Sequence, residues 1–365
     1  MGKDKLKLLI VSPDLKLMGG VAETVKLLLR ELEGKVCIKS VFYGRRAFQR
    51  GLQCFLMPFI DLLLFTKLLI QKRFDVIHVN PSLNFRSIIK EILLFILFLS
   101  FGYGGRILVF FHGWEDVFFE KISSSSFFSK ICSSLLNRSG VVLVLAGSFK
   151  EALVQIGVAE DKIKIVTTMV DMSDIPVCKD RGDFCTTLLY LSRIIVEKGV
   201  YEIVEAFHLI SMEYPDLKLI MAGDGPEKNR LMEIVNEKGL NNVFFPGYIQ
   251  NDEKFEALKK SCIFLLPTRY GEGCPVALLE AMASGMVSIV ADAGGITDVI
   301  IPDENALLLD KISVQSIVDA VRSVLNDNEK RDKISNNASI FAAEHFSSAK
   351  VSANIYDCYQ QLLKR

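Results

Sequence analysis

The sequence contains no apolar run long enough to span a bilayer, no C-x-x-C pair, no G-x-G-x-x-G element and no prominent D-x-D pair of acids. Each absence narrows the field. The longest apolar stretches are residues 62–70, interrupted by Lys67, and residues 92–101, preceded by Lys90 and Glu91. Both fall short of the roughly 20 residues a spanning helix needs. They read as buried helices covering a large sheet, with insertion of a basic, apolar helix into a membrane surface as the alternative. The eight cysteines, Cys37, Cys54, Cys132, Cys178, Cys185, Cys262, Cys274 and Cys358, are scattered and make no metal-like cluster with the four histidines. They read as reduced packing thiols of a cytoplasmic protein. Residues 1–12 run from lysines straight into a strand-like segment, with no secretory apolar region and no cleavage site, so no export is expected. Zinc-finger spacing, an RNP-like aromatic motif and any net charge are also missing, which argues against a nucleic-acid partner. No internal repeat or low-complexity tract appears.

What is present fits a chain of two cores. Its 365 residues exceed the usual size of a single core. With 50% hydrophobic and 24% charged residues it has globular composition and is not a disordered chain. The zero net charge hides an asymmetry. Residues 1–170 hold 23 Lys and Arg against 14 Asp and Glu, and the remainder holds 20 against 29. A basic first half can attract phosphates, acidic polymers or anionic lipid, although solvated surface lysines account for it equally well.

Short β-branched or apolar runs alternate with helical patterns throughout, the signature of parallel sheets covered on both faces. The spacing predicts strands at residues 7–12, 36–42, 75–79, 107–111, 141–145 and 163–166, and again at 187–191, 217–222, 243–245, 262–266 and 287–290. Between the two sets, residues 171–183 are polar and contain Pro176, which marks a linker. The fold class is therefore α/β. Residues 1–170 and 171–346 form two doubly wound, Rossmann-like domains. Residues 347–365 form an amphipathic helix with Val351, Ile355, Cys358 and Leu362 at helical spacing, expected to pack back on the first domain.

Candidate binding residues cluster at predicted strand ends, the side on which open α/β sheets bind ligands. In the first domain, Gly19 and Gly20 form a strand-to-helix turn whose amides and helix dipole suit an anion, or simply start a helix. His112 follows another strand. In the second domain, Arg193 and Lys198 lie five apart in a loop and suit a diphosphate, or form a solvated charge pair. Gly223 and Asp224 make a tight turn, with Pro226 placed to open a helix. Tyr248 and Ile249 follow the next strand and could hold a nucleobase, or simply belong to a turn. Finally, Glu272, Gly273, Cys274, Pro275 and Val276 lead into a helix carrying Glu280. A glutamate on so apolar a helix calls for a partner, because an unpaired buried charge is costly.

Taken in order, Gly19-Gly20, His112-Gly113, Arg193 with Lys198-Gly199, residues 223–226, residues 245–247 and the Glu272 to Glu280 block resemble glycosyltransferase family 4, a group of GT-B enzymes. The likeness covers nearly the whole chain. It implies a GT-B fold, two Rossmann-like domains facing across a cleft, and a retaining glycosyltransferase of hexosyltransferase type. The donor, a UDP- or GDP-linked sugar, would be a substrate, with no cofactor and no metal. Glu272 would contact the donor sugar and Glu280 the nucleotide ribose. Arg193 and Lys198 would neutralise the departing diphosphate, Gly20 would touch a phosphate, and His112 would sit near sugar and leaving group. The acceptor would be a glycan or lipid-linked glycan of cell-surface polysaccharide biosynthesis, reached by peripheral contact with an anionic membrane.

Two departures from the family pattern stand out. Cys274 and Pro275 occupy positions where an aromatic and a glycine are common, and Asp298 stands where glutamate is frequent. A sugar-nucleotide epimerase of the same fold and a non-catalytic nucleotide-sugar-binding module are the alternatives. A nicotinamide dehydrogenase is disfavoured by the missing dinucleotide fingerprint.

Overall fold

A computed structural model describes residues 5–16, 20–43, 52–83, 85–173, 175–176, 186–271 and 273–364. The chain divides into two compact units, residues 1–169 with 348–365, and residues 170–347.

The first unit runs β1 (Lys7–Ser12), α1 (Gly20–Leu32), β2 (Cys37–Phe42), α2 (Leu52–Gln71), β3 (Val76–Val79), β4 (Ser82–Leu83), α3 (Phe85–Ser100), β5 (Ile107–Phe110), β6 (Gly113–Trp114), α4 (Asp116–Ser123), α5 (Ser126–Asn137), β7 (Val141–Val144), α6 (Gly147–Gln155) and β8 (Ile163–Ile165). Six of these strands form one sheet in the order β2-β1-β3-β5-β7-β8, with every described pairing parallel. Parallel strands covered on both faces must be apolar on both. β3, β5 and β7, with sequences VIHV, ILVF and VVLV, are accordingly buried along their whole length.

The second unit runs β9 (Thr187–Leu191), α7 (Val200–Glu213), β10 (Lys218–Ala222), α8 (Lys228–Glu237), β11 (Val243–Gly247), α9 (Asn251–Lys260), β12 (Ile263–Leu266), α10 (Val276–Ala283), β13 (Val287–Ala291), β14 (Leu307–Leu309), α11 (Val314–Leu325) and α12 (Asn328–Phe346). Its parallel sheet has the order β11-β10-β9-β12-β13-β14. The direction of winding reverses between β9 and β12, and such reversals open a crevice at the carboxyl ends of the strands. Side chains of Ser313 and Asp327 cap α11 and α12 by accepting from the amides of Ser316 and Lys330.

A last helix, α13 (Ser348–Leu363), belongs to the first unit. Val351, Ile355, Cys358 and Leu362 are all buried. Tyr359 reaches His78 of β3, its hydroxyl 2.6 Å from Nδ1, and Ser348 donates to Glu31 of α1 at 2.7 Å.

Three sequence expectations need correction. α8 begins at Lys228, because residues 226 and 227 form a turn, so Pro226 does not open the helix. Cys262 is disulfide-bonded, whereas Cys37, Cys132, Cys274 and Cys358 are free thiols. Spacing along a chain says nothing about which sulfurs meet in space. The two apolar stretches are not simply buried either. α2 exposes Phe59, Ile60, Leu63, Leu64 and Ile70, and α3 exposes Leu93 and Ile96, since apolar residues run round both helices and one sheet covers one side. Among the described residues no helix is long and apolar enough to cross a membrane.

Candidate functional site

In the second unit the loops after β9, β10 and β12 pack backbone against backbone, and glycine makes this possible. Gly223 has φ of 144°, and a Cβ there would overlap the carbonyl oxygen of Ser192. Gly199, with φ of 68°, caps the short 3-10 turn Val196–Lys198, and its Cβ would overlap the carbonyl of Pro267. The close approach is tied by hydrogen bonds from Ser192 N to Ala222 O (3.1 Å), Ile194 N to Asp224 O (2.9 Å) and Arg269 N to Glu197 O (2.7 Å).

This scaffold brings Arg193 and Lys198 to Tyr270, which follows β12. The Arg193 guanidinium carbon lies 5.1 Å and the Lys198 ammonium 5.2 Å from the centre of the tyrosine ring, within cation–π range. Arg193 is exposed, whereas Lys198 is only 2% exposed. Burial, reinforced by the neighbouring guanidinium, pulls the Lys198 pKa down to about 7. Two cations held side by side at the switch point of the sheet suit an anion with several oxygens.

The other expected residues of this unit line the same carboxyl edge. Asp224 is exposed and its Oδ1 accepts from the Gly225 amide at 3.0 Å. Tyr248 is exposed and Ile249 buried after β11. Gly273, Cys274, Pro275 and Val276 lead into α10, with Cys274 buried and Pro275 as the residue capping the helix start. Glu280 lies on the buried face of α10 and pairs with Lys254 of α9 at 2.5 Å. Gly19 and Glu272 lie outside the described residues.

In the first unit, Gly20 opens α1 beyond β1. His112 follows β5, half-buried, with its ring 4.0 Å from that of Phe110. Asn80, after β3, spends its amide NH2 on Val11 O at 3.0 Å, so its oxygen faces His112 Nε2 at 2.8 Å. Nε2 therefore carries the proton and Nδ1 the lone pair, and Nδ1 has no hydrogen-bond partner among the described residues. Burial pushes the His112 pKa down to about 3, which keeps the ring neutral. Among the described residues no three or more His, Cys, Asp or Glu side chains gather as metal ligands.

Sequence reasoning missed three participants: Tyr270, Lys254 and Asn80. Tyr270 sits between Arg269 and Gly271 in a block already singled out, and an aromatic beside two expected cations was the available signal. Lys254 and Asn80 lie 26 and 32 residues from their partners, and no spacing rule links them.

Comparison with known proteins matches both units. Residues 18–174 match the family model described as Glycosyltransferase Family 4, and residues 185–340 match Glycosyl transferases group 1. An uncharacterized glycosyltransferase of Methanocaldococcus jannaschii is 25% identical over 241 residues, 61% of each chain. The alpha-D-kanosaminyltransferase of Streptomyces kanamyceticus is 25% identical over 176 residues, 48% of this chain and 45% of that one. The chain thus spans about half to three-fifths of the length of these relatives. Among solved structures, HepE of Anabaena in complex with UDP and glucose superposes with a TM-score of 0.73 at 15% identity, covering 97% of this chain and 99% of that one. Sucrose-phosphate synthase of Thermosynechococcus elongatus gives 0.77 at 17% identity, covering 99% and 100%. These structural likenesses establish the GT-B fold, two parallel-sheet Rossmann-like domains. With one family model on each of its two units, the chain belongs to the group 1 glycosyl transferases, its first half being of the Glycosyltransferase Family 4 type.

Proposed function

We propose that the protein is a retaining glycosyltransferase that moves a sugar from a UDP- or GDP-linked donor to a glycan or lipid-linked glycan acceptor. The observation that carries this reading is the convergence of Arg193 and Lys198 on Tyr270 beside the switch point of the second sheet. Breaking a sugar–phosphate bond leaves negative charge on the departing diphosphate, and preorganised cations lower the barrier by meeting that charge as it develops. A buried ammonium needs no solvent reorganisation to do so.

In this reading Arg193 and Lys198 hold the diphosphate, Glu280 binds the ribose hydroxyls and Glu272 the donor sugar. Tyr248 and Ile249 flank the base, and the amides of Gly20 and of the start of α10 take phosphate or sugar oxygens. The acceptor hydroxyl attacks the anomeric carbon on the face the diphosphate leaves. Its proton passes to a diphosphate oxygen, and the configuration is kept. His112, neutral and fixed by Asn80, orients sugar and leaving group. No metal ion and no further cofactor takes part. The basic, apolar first unit supports an acceptor at an anionic membrane surface, as in cell-surface polysaccharide assembly on the cytoplasmic side.

The test is a thermal-shift screen of UDP- and GDP-sugars, followed by turnover with candidate acceptors. A donor that binds the folded state raises the melting temperature by mass action. Product should require the acceptor, whereas an epimerase would convert donor without one. Lys198→Ala should lower turnover at least about tenfold, the loss of roughly 1.4 kcal/mol of transition-state stabilisation. Wild-type turnover in that variant would remove the site assignment.

A further inference from the structure

The contacts that hold His112 reach further than Asn80. His78 stands two residues before Asn80 on β3, and its partner on β5, Leu108, stands two before Phe110 and four before His112. Side chains alternate along a strand, so residues 78, 80, 110 and 112 share one face of the sheet. Tyr359 of α13 meets that face. The rings on it form a continuous column. Tyr359 lies edge-on to His78 with centres 5.8 Å apart, His78 stacks on Phe110 at 6.3 Å, and Phe110 meets His112 at 4.0 Å.

The choice of histidine at position 78 is what needs explaining. Tyr359, His78 and Phe110 are all fully buried. Burial, and after it the neighbouring His112, pull the His78 pKa down to about 3, so the ring is neutral. A neutral imidazole still has two polar nitrogens to satisfy. Nδ1 meets the Tyr359 hydroxyl at 2.6 Å, while Nε2 has no hydrogen-bond partner among the described residues. Phenylalanine would fill the same space without an unpaired nitrogen, so packing alone does not account for a histidine in the strand VIHV. The histidine adds direction. Apolar contact leaves a ring free to tilt, whereas a hydrogen bond fixes its angle.

We propose that Tyr359 and His78 are positioning residues for His112: the hydroxyl on the last helix sets the His78 ring, and Phe110 passes that orientation to the ring of His112. What His112 does there rests on the glycosyltransferase reading; how it is held rests on the column alone. Tyr359→Phe deletes one oxygen and keeps every ring. With the UDP- or GDP-sugar that the thermal-shift screen selects, kcat should fall about two- to tenfold, the span of one neutral hydrogen bond. KM and the UDP dissociation constant should stay at their wild-type values. His78→Phe removes the same bond from its other side and should do likewise. In a His112→Ala background neither change should lower kcat further, whereas a residue that merely supports the fold would lose the same factor in both backgrounds.

A second measurement needs no substrate. In the full chain with isotope-labelled histidine, followed by NMR, the His112 Nε2 proton should exchange with water about two- to tenfold faster in Tyr359→Phe than in the wild type. The backbone amides of β5 should keep their wild-type rates. Equal acceleration of those amides would mean general loosening and would overturn the proposal. So would wild-type kcat together with wild-type exchange, or a kcat loss that persists undiminished without His112. If exchange quickens at His112 alone and no nucleotide sugar is turned over, the glycosyltransferase reading fails and the brace remains. If turnover is measured and neither variant alters it or the exchange, the brace fails alone.

Discussion

Arg193 and Lys198 share the ring of Tyr270, at 5.1 and 5.2 Å from its centre, so that two like charges lean on one quadrupole. The ring offsets part of their repulsion, and a bound diphosphate would offset more. The arrangement makes nucleotide binding sensitive to pH. The pKa of Lys198 is pulled down to about 7, so its ammonium is present below that pH and lost above it. UDP affinity should fall as pH rises from 7.5 to 9.5, by up to about tenfold per unit, and proton uptake on binding should be visible in calorimetry. Lys198→Arg should flatten the profile. Stability of the unliganded chain moves the other way. The unfolded chain keeps this proton up to about pH 10.5, so the folded state gains stability as pH rises above 7. A flat affinity profile in the wild type would contradict this account.

Tyr270 acts through its ring, not its hydroxyl. Tyr270→Phe should bind UDP like the wild type, while Tyr270→Ala should weaken binding about two- to thirtyfold, as expected for losing one or two cation–π contacts of about 0.5–1 kcal/mol each. Calorimetric dissociation constants of the two variants decide the point, and equal losses in both would assign the effect to the hydroxyl.

The pair formed by Lys254 and Glu280 is half-hidden, and removing the lysine leaves a carboxylate in an apolar helix face without its cation. Lys254→Ala should destabilise the chain by about 1–3 kcal/mol, the cost to a buried carboxylate of losing a charged partner. Lys254→Arg should recover most of it. In a double-mutant cycle with Glu280→Gln the losses should be non-additive, since the two residues touch. Urea unfolding midpoints measure all four species, and strict additivity would mean that the contact contributes nothing.

Asn80 fixes which nitrogen of His112 bears the proton. Asn80→Ala should lower turnover about tenfold or more, because a misplaced group in a reaction site costs that much. Binding of UDP should be unchanged. In the Asn80→Ala background, His112→Ala should cost little further. An undiminished loss from His112→Ala in that background would show that the asparagine does not work through the ring.

Much of this architecture was legible in the residues. Segments such as VVLV and IFLL, short, apolar and alternating with helical patterns, read as strands buried on both faces of a doubly wound sheet. β14 was missed, because three leucines after Ala306 are too short to show a period, and so was the two-residue ladder β4–β6. At the site, Arg193 and Lys198 were recognisable as a loop pair at a strand end. Their meeting on Tyr270 was not, since it depends on β9 and β12 being neighbours, a property of strand order that no local pattern encodes. The partners Lys254 and Asn80 escaped for the same reason: each comes from a different βα segment than the residue it holds.

The return of α13 to the first unit has a consequence for synthesis. Its Tyr359 closes on His78, and its Ser348 on Glu31, so the sheet of the first unit waits until the whole second unit has been made before it is covered. Domains usually fold as they leave the ribosome, N-terminal first. Here the leading half emerges with one flank bare while the trailing half is still being translated, and a nascent chain stalled before Ser348 would present that flank to chaperones and proteases.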